Sequence, residues 1–89
     1  MDLLERKAGG YMYSIEKQIR LDELTEVRDF VVLASKYKCD IKVKSKNSVT
    51  DGKSILGILS LGLWRPITVT ASGIDAKQFE KGLKRFEAQ

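Results

Sequence analysis

Alternating apolar and polar residues in three separate stretches constrain the fold of this chain more than any other feature of its sequence. YMYSIEKQIRL (11–21) predicts a strand with Lys17 as the one misfit, CDIKVKSKNSVTDGK (39–53) a hairpin, and PITVTAS (66–72) another strand. The apolar face of the first strand comprises Tyr13, Ile15, Ile19 and Leu21. Because alternation buries only one face of a strand, the sheet needs cover on a single side.

The segments between the strands have helical spacing instead. DELTEVRDFVVLASKY (22–37) predicts the longest helix, with Asp22 as its N-cap. Its predicted buried stripe includes Leu24, Val27, Val31 and Ala34. Residues 54–61 predict a short helix and residues 75–89 a terminal one. The order β-α-β-β-α-β-α predicts an α+β fold, an open-faced sandwich with one mostly antiparallel sheet and its helices on one face.

The length of 89 residues fits one domain. Residues 1–10, which end in Gly9-Gly10, are expected to form a flexible N-terminal lead, and residues 11–89 the domain. The first residues do not have the pattern of a secretory signal, and no apolar run approaches the ~20 residues that span a bilayer. A lone cysteine, Cys39, cannot form an internal disulfide. We therefore expect a cytoplasmic protein.

The chain contains no histidine. This excludes a Ser-His-Asp or Cys-His catalytic arrangement, and with one cysteine it also excludes an ordinary zinc site. An acidic cluster, Asp22, Glu23, Glu26 and Asp29, contains ligands suited to Mg²⁺, but compensation of the helix dipole accounts for most of it. We predict neither an enzyme nor a bound metal or cofactor.

Two further patterns point to phosphate or nucleic acid. Gly52-Lys53-Ser54 matches the second half of a phosphate-binding loop, but Asn47 stands where the first glycine is required. A lysine stripe comprises Lys36, Lys38, Lys42, Lys44 and Lys46. It could contact phosphates, yet no aromatic residues interleave with it, and the solvated face of an open sheet explains it better. The net charge of +4 does not decide between these interpretations.

Ser54 has two interpretations that its chemistry leaves open. A serine before an apolar run is a preferred N-cap. The same position tolerates a phosphate, because a helix N-terminus presents free N–H groups and a positive dipole end. Ile55, Leu56 and Leu59 cannot all point inward on so short a helix, so some apolar surface beside Ser54 should be exposed.

The segment ASKYKCDIKVKSKNSVTDGKSILGILSLGL (34–63) resembles the HPr family of the bacterial sugar phosphotransferase system. It is most similar to Gram-positive members, which have KSIxGxxSLG after a hairpin of this length. By this resemblance Ser54 is the regulatory serine, modified by HPr kinase/phosphorylase. The phosphorylated form would then bind a transcriptional regulator of catabolite control. The partner-binding positions would be Lys53, Ile55, Leu56, Gly57 and Leu59.

The same resemblance implies a phosphoryl-carrying histidine at the start of the first helix, where this chain has Glu23. The arginine and proline of the family pattern fall on Thr25 and Glu26. The resemblance therefore indicates a histidine-lacking regulatory paralogue. Trp64-Arg65-Pro66, predicted to form a rigid turn, is a further departure from the pattern.

The leading interpretation is a regulatory protein switched at Ser54. One alternative is a divergent interaction module without a phosphotransfer role, in which Ser54 only caps a helix. Another is a weak nucleic-acid binder that uses the lysine stripe. No membrane contact is expected, and oligomeric state is left open, a homodimer included.

Overall fold

The computed structural model describes residues 13–87. The elements, in order, are β1 (Tyr13–Arg20), α1 (Leu24–Ser35), β2 (Asp40–Ser45), β3 (Ser48–Asp51), α2 (Ile55–Leu61), β4 (Pro66–Gly73), α3 (Ala76–Gly82) and a 3₁₀-helix (Leu83–Phe86). The predicted order is confirmed. The predicted flexible lead, residues 1–10, lies outside the described residues. Within residues 13–87 no helix has the length and apolarity to cross a membrane.

The four strands form one antiparallel sheet in the order β1-β4-β2-β3. The last strand in sequence, β4, is inserted between β1 and β2, so it pairs on both edges. In its register, Ala71 lies between Ile15 of β1 and Ile41 of β2, and these side chains share the covered face. The predicted open-faced α+β sandwich is thus confirmed.

The core lies between this face and the helices, and every buried side chain in it is apolar. Its centre is aromatic. Phe30 of α1 makes edge-to-face contacts with Phe79 and Phe86, at ring-centroid distances of 6.1 and 5.9 Å. Tyr37 contacts the other side of Phe79 at 6.1 Å. Edge-to-face geometry is favoured by the ring quadrupoles. These contacts join α1 to α3 and to the 3₁₀-helix.

The start of α1 differs from the prediction at two residues. The N-cap is Glu23 rather than Asp22, whose carboxylate instead accepts a hydrogen bond from Arg20 Nε at 2.8 Å. Leu24, predicted to be buried, is 60% exposed because it lies on the first turn, beyond the edge of the sheet-covering stripe. That stripe consists of Val27, Phe30 and Ala34.

Lys17, the misfit in the alternation of β1, lies on the covered face and is half-buried. Its ammonium reaches Glu80 of α3 at 3.5 Å. The aliphatic stem of a lysine can pack along apolar surface while the charge remains near water. The position is therefore compatible with a strand whose other inward residues are apolar.

The terminal helix is shorter than predicted. The α-helix ends at Gly82, and residues 83–86 tighten into the 3₁₀-helix. Residues three apart align along a 3₁₀-helix, so Leu83 and Phe86 both point into the core, where both are buried. Residues 88–89 of the predicted helix lie outside the described part.

Candidate functional site

Ser54 is the N-cap of α2. Its backbone is extended, and its Oγ accepts a hydrogen bond from the Gly57 N–H at 3.0 Å. This is the standard geometry by which a serine satisfies an otherwise unpaired N–H in the first turn. The side chain is half-buried. The predicted helix-capping role of Ser54 is present, and its modification stays a prediction.

Lys53 precedes the cap in an exposed loop. Its ammonium donates to the backbone carbonyl of Tyr37 at 3.2 Å, and its backbone N–H donates to Asp51 Oδ1 at 2.9 Å. Lys53 thereby joins the loop before α2 to the end of α1. It holds a positive charge on the residue next to Ser54.

The apolar residues of α2 divide into inward and outward sets. Ile58 and Leu61 are buried, and Leu59 is half-buried against the core. Leu56 is 80% exposed and Ile55 is 39% exposed. Since seven residues make only two turns, the helix cannot bury all its apolar side chains. We call Ile55 and Leu56 the α2 surface. Leu59, also predicted to bind partners, is half-buried and lies outside it.

Gly57 lies where α2 approaches β3 closely. A Cβ built at this position would overlap Oγ1 of Thr50 and would lie 3.1 Å from Ser54 Oγ. The absence of a side chain therefore allows α2 to pack against β3. Gly57 also supplies the N–H that binds Ser54, so its role here is to position the serine.

Glu23, the residue that the sequence resemblance predicts at the histidine position, is exposed at the N-cap of α1. Its backbone N–H donates to Glu26 Oε1 at 3.2 Å, and the Asp22 N–H donates to the same oxygen at 2.7 Å. The Glu26 carboxylate thus accepts hydrogen bonds from the two backbone N–H groups that immediately precede α1. Two carboxylates, those of Glu23 and Glu26, therefore lie at the start of α1.

Two exposed apolar residues near the start of α1 were not singled out from the sequence as surface residues. Leu24 follows Glu23 directly, and Trp64 is 65% exposed. The Trp64 N–H donates to the Leu21 carbonyl at 3.3 Å, which brings the loop before β4 to the start of α1. Trp64 has φ 71°, a left-handed conformation that is rare for a bulky residue. A tryptophan two residues before a proline was the sequence signal for this turn.

The predicted lysine stripe is divided. Lys42 and Lys44 are exposed on the open face of β2, whereas Lys36 and Lys38 lie beyond the end of α1. Acidic residues flank Lys42: Asp40 lies 3.6 Å away, and Asp51 is its register partner on β3. The open face therefore has mixed charge rather than a continuous basic groove.

The predicted acidic cluster is largely engaged. Asp29 pairs with Arg85 at 3.2 Å and with Arg28 at 3.7 Å, while Asp22 and Glu26 have the partners given above. Among residues 13–87 no three carboxylate or thiol groups are close enough to hold a metal. Cys39 is half-buried, and burial raises the pKa of its thiol, opposed in part by the charge of Lys53.

Comparison with known proteins agrees with this geometry. The family model described as "PTS HPr component phosphorylation site" matches residues 26–88, which include Ser54 and all of α2. The match begins after Glu23. Two crystal structures resemble the fold. One is the phosphocarrier protein HPr from Bacillus anthracis, with 29% identity, 86% of this chain and 98% of that chain covered, and a TM-score of 0.69. The other is HPr-C-His from Thermoanaerobacter tengcongensis, with 29% identity, 80% of this chain and 85% of that chain covered, and a TM-score of 0.68.

Fold and sequence thus define a phosphocarrier-type open-faced sandwich. The chain belongs to the HPr family of the phosphotransferase system, and the resemblance seen in the sequence is confirmed. Members of this family are phosphocarriers rather than enzymes, which supports the expectation that the chain is not an enzyme.

Proposed function

We propose that this protein is a regulatory member of the HPr family, switched by phosphorylation of Ser54 and acting in carbon catabolite control. The observation that carries the proposal is the position of Ser54, an N-cap serine immediately before the exposed α2 surface. A change of charge at Ser54 would be felt by any protein that docks on Ile55 and Leu56.

The chemistry follows from the residues present. HPr kinase/phosphorylase would transfer the terminal phosphoryl group of ATP to Ser54. The bond from Ser54 Oγ to phosphorus forms as the bond from phosphorus to ADP breaks, and the hydroxyl proton is released. The product carries a charge of about −1.5 to −2 beside Leu56, so a partner with a basic residue opposite this point gains an ion pair. We propose a catabolite-control transcriptional regulator as that partner and the cytoplasm as the site of action.

Relay of phosphoryl groups through histidine is not part of this function, because the sequence contains no histidine. Glu23, at the corresponding position, could accept a phosphoryl group only as an acyl phosphate. The adjacent Glu26 carboxylate opposes the approach of an anion. The proposal therefore assigns the role of the protein to Ser54 and the α2 surface alone.

The test is incubation with ATP and a purified HPr kinase, followed by intact-mass spectrometry. The wild type should gain one phosphate and Ser54→Ala none. Ser60→Ala is the matched control, since Ser60 is an exposed serine on the same helix whose hydroxyl donates to the Gly57 carbonyl at 2.6 Å. It should be modified like the wild type. An unmodified wild type would contradict the proposal.

The exposure of the α2 surface also favours a second candidate, an interaction module that needs no phosphate. Leu56 is already 80% exposed with Ser54 unmodified. In that case Leu56→Ala would abolish binding of a partner, while Ser54→Ala would leave it unchanged. Under the first proposal, both Ser54→Ala and Leu56→Ala abolish binding that requires the phosphate.

A further inference from the structure

A small cavity lies between the tip of the β2–β3 hairpin and the end of α2. Its volume is about 270 Å³. Two cationic residues line it, Lys46 from the hairpin turn and Arg65 from the loop before β4. The remaining polar lining comes from Asn47 and three serines, Ser45, Ser48 and Ser60. None of these residues belongs to the site around Ser54.

Local backbone structure fixes both cationic residues at the cavity. Ser45 and Ser48 are paired across the hairpin, so Lys46 and Asn47 form a two-residue turn, in which Lys46 has φ 53°. Arg65 precedes Pro66, which restricts its backbone to extended conformations. A Cβ built on Gly62 would lie 3.7 Å from Arg65 Nε, so this side chain lies along the C-terminal end of α2.

Within the described residues, no carboxylate compensates the charge of the cavity. The lining contains two cations and no carboxylate, and neither Lys46 nor Arg65 forms an ion pair with any residue in the range 13–87. Ser60 donates its hydroxyl proton to the Gly57 carbonyl and so offers no donor. The donors that remain are the two cations, the Asn47 amide and the hydroxyls of Ser45 and Ser48.

We propose that this cavity binds a phosphate-type oxyanion, either inorganic phosphate or the phosphate group of a small phosphomonoester. A guanidinium matches two oxygens of a phosphate with parallel N–H donors, and an ammonium adds a compact point charge. The amide and hydroxyl donors suit the remaining oxygens. The volume is below the range of about 300–1,000 Å³ that is usual for drug-sized ligands, so the ligand is small.

This inference does not depend on phosphorylation of Ser54. It concerns a different end of α2 and a ligand that binds without covalent bonding. A protein that is never modified at Ser54 could still bind phosphate here, and the reverse also holds.

The experiment is a two-dimensional ¹H–¹⁵N NMR titration of the full chain, with inorganic phosphate in one series and methyl phosphate in another. Ionic strength is held constant by replacing sodium chloride. The expected result is saturable shifts confined to residues 45–48 and 60–65. Tighter binding of methyl phosphate would identify a phosphomonoester as the ligand, and tighter binding of inorganic phosphate would identify the free ion. Equal binding would show that the site recognises the phosphate group alone.

A double variant, Lys46→Asn with Arg65→Gln, tests the two cations. Asparagine readily adopts the left-handed conformation of residue 46, so the turn is kept. Affinity should fall at least tenfold. The charge-matched control is Lys36→Gln with Lys81→Gln, two exposed lysines outside the cavity, and it should change affinity less than twofold.

Three results would overturn the proposal. Shifts that increase linearly with phosphate or spread over the whole surface would indicate non-specific screening. Equal losses in the two double variants would show that total charge, not the cavity, determines binding. Saturable shifts retained by the Lys46→Asn, Arg65→Gln protein would show that the anion lies elsewhere.

Discussion

Replacing Gly57 with alanine should destabilise the protein, although helix propensity alone predicts stabilisation. Gly57 lies inside α2, where alanine is favoured over glycine by about 1 kcal/mol. The structure opposes this gain. The new methyl group would overlap Thr50 Oγ1 on β3, and it would lie 3.0 Å from Thr50 Cβ and 3.1 Å from Ser54 Oγ.

Rotation of the Thr50 side chain does not remove the conflict. Turning its hydrogen toward residue 57 clears Oγ1, but the 3.0 Å contact with Cβ remains because Cβ is fixed to the strand. Inserting one methyl group into a packed contact costs about 1–3 kcal/mol. Displacement of Ser54 would also weaken its cap, a bond worth about 0.5–2 kcal/mol. Subtracting the propensity gain from the packing cost alone leaves a loss of about 0–2 kcal/mol, and partial loss of the cap brings the expected net loss to about 1–2 kcal/mol.

The assay is urea unfolding followed by circular dichroism. With an m-value near the low end of the ~1–3 kcal/mol/M range for small proteins, the midpoint should fall by about 1 M. Thr50→Gly removes Cβ as well as Oγ1 and the γ-methyl, and in that background Gly57→Ala should be nearly neutral. The two substitutions should therefore couple by about 1–2 kcal/mol. A raised midpoint, or an equal loss in both backgrounds, would refute the packing argument.

Three further predictions concern other parts of the molecule. Phe30→Ala should cost about 3–5 kcal/mol in urea unfolding, because it empties the centre of the aromatic core; a loss below ~2 kcal/mol would show that the core collapses around the gap. Ser54→Ala should cost about 1 kcal/mol in the same assay and Ser54→Asp much less, since aspartate also caps; equal losses would contradict the capping role. Cys39 should react slowly with iodoacetamide at neutral pH, because burial favours the neutral thiol over the reactive thiolate. The reaction should become faster as the pH rises through the raised pKa of Cys39. A rate at pH 7 equal to that of the urea-unfolded protein would contradict this prediction. Because the pKa of Cys39 is higher in the folded protein than in the unfolded chain, the neutral thiol favours folding below the ordinary thiol pKa. This contribution to stability is lost as the pH rises through the raised pKa.

Much of the fold could be predicted from the sequence because strand and helix patterns are local. The alternation in β4 and the apolar stripe of α1 each depend only on residues within the same element. Ser54 as an N-cap is equally local, since the bond joins residues three apart. The errors lie at the ends of elements. The N-cap of α1 moved to Glu23, and Leu24 proved exposed, because the helix start extends beyond the sheet that covers its later turns.

The candidate site divides in the same way. Its serine and adjacent apolar residues could be named from their sequence pattern, whereas the outward orientation of Leu56 and the half-burial of Leu59 depend on how α2 packs. Two features bring together segments that are distant in sequence. The Trp64 N–H bonds to the Leu21 carbonyl, and Lys46 and Arg65 line the same cavity. Spacing along the chain contains no signal for such contacts.

The sequence by itself determined the element order, the one-sided sheet and the lack of a histidine, because each is a property of consecutive residues or of composition. Only the tertiary structure decided that β4 lies between β1 and β2, that Lys17 is placed on the covered face beside Glu80, and that Gly57 is required by Thr50. Those outcomes depend on which groups meet across the core. Burial and steric contact between distant segments determine these three outcomes, and local propensity does not determine which segments meet.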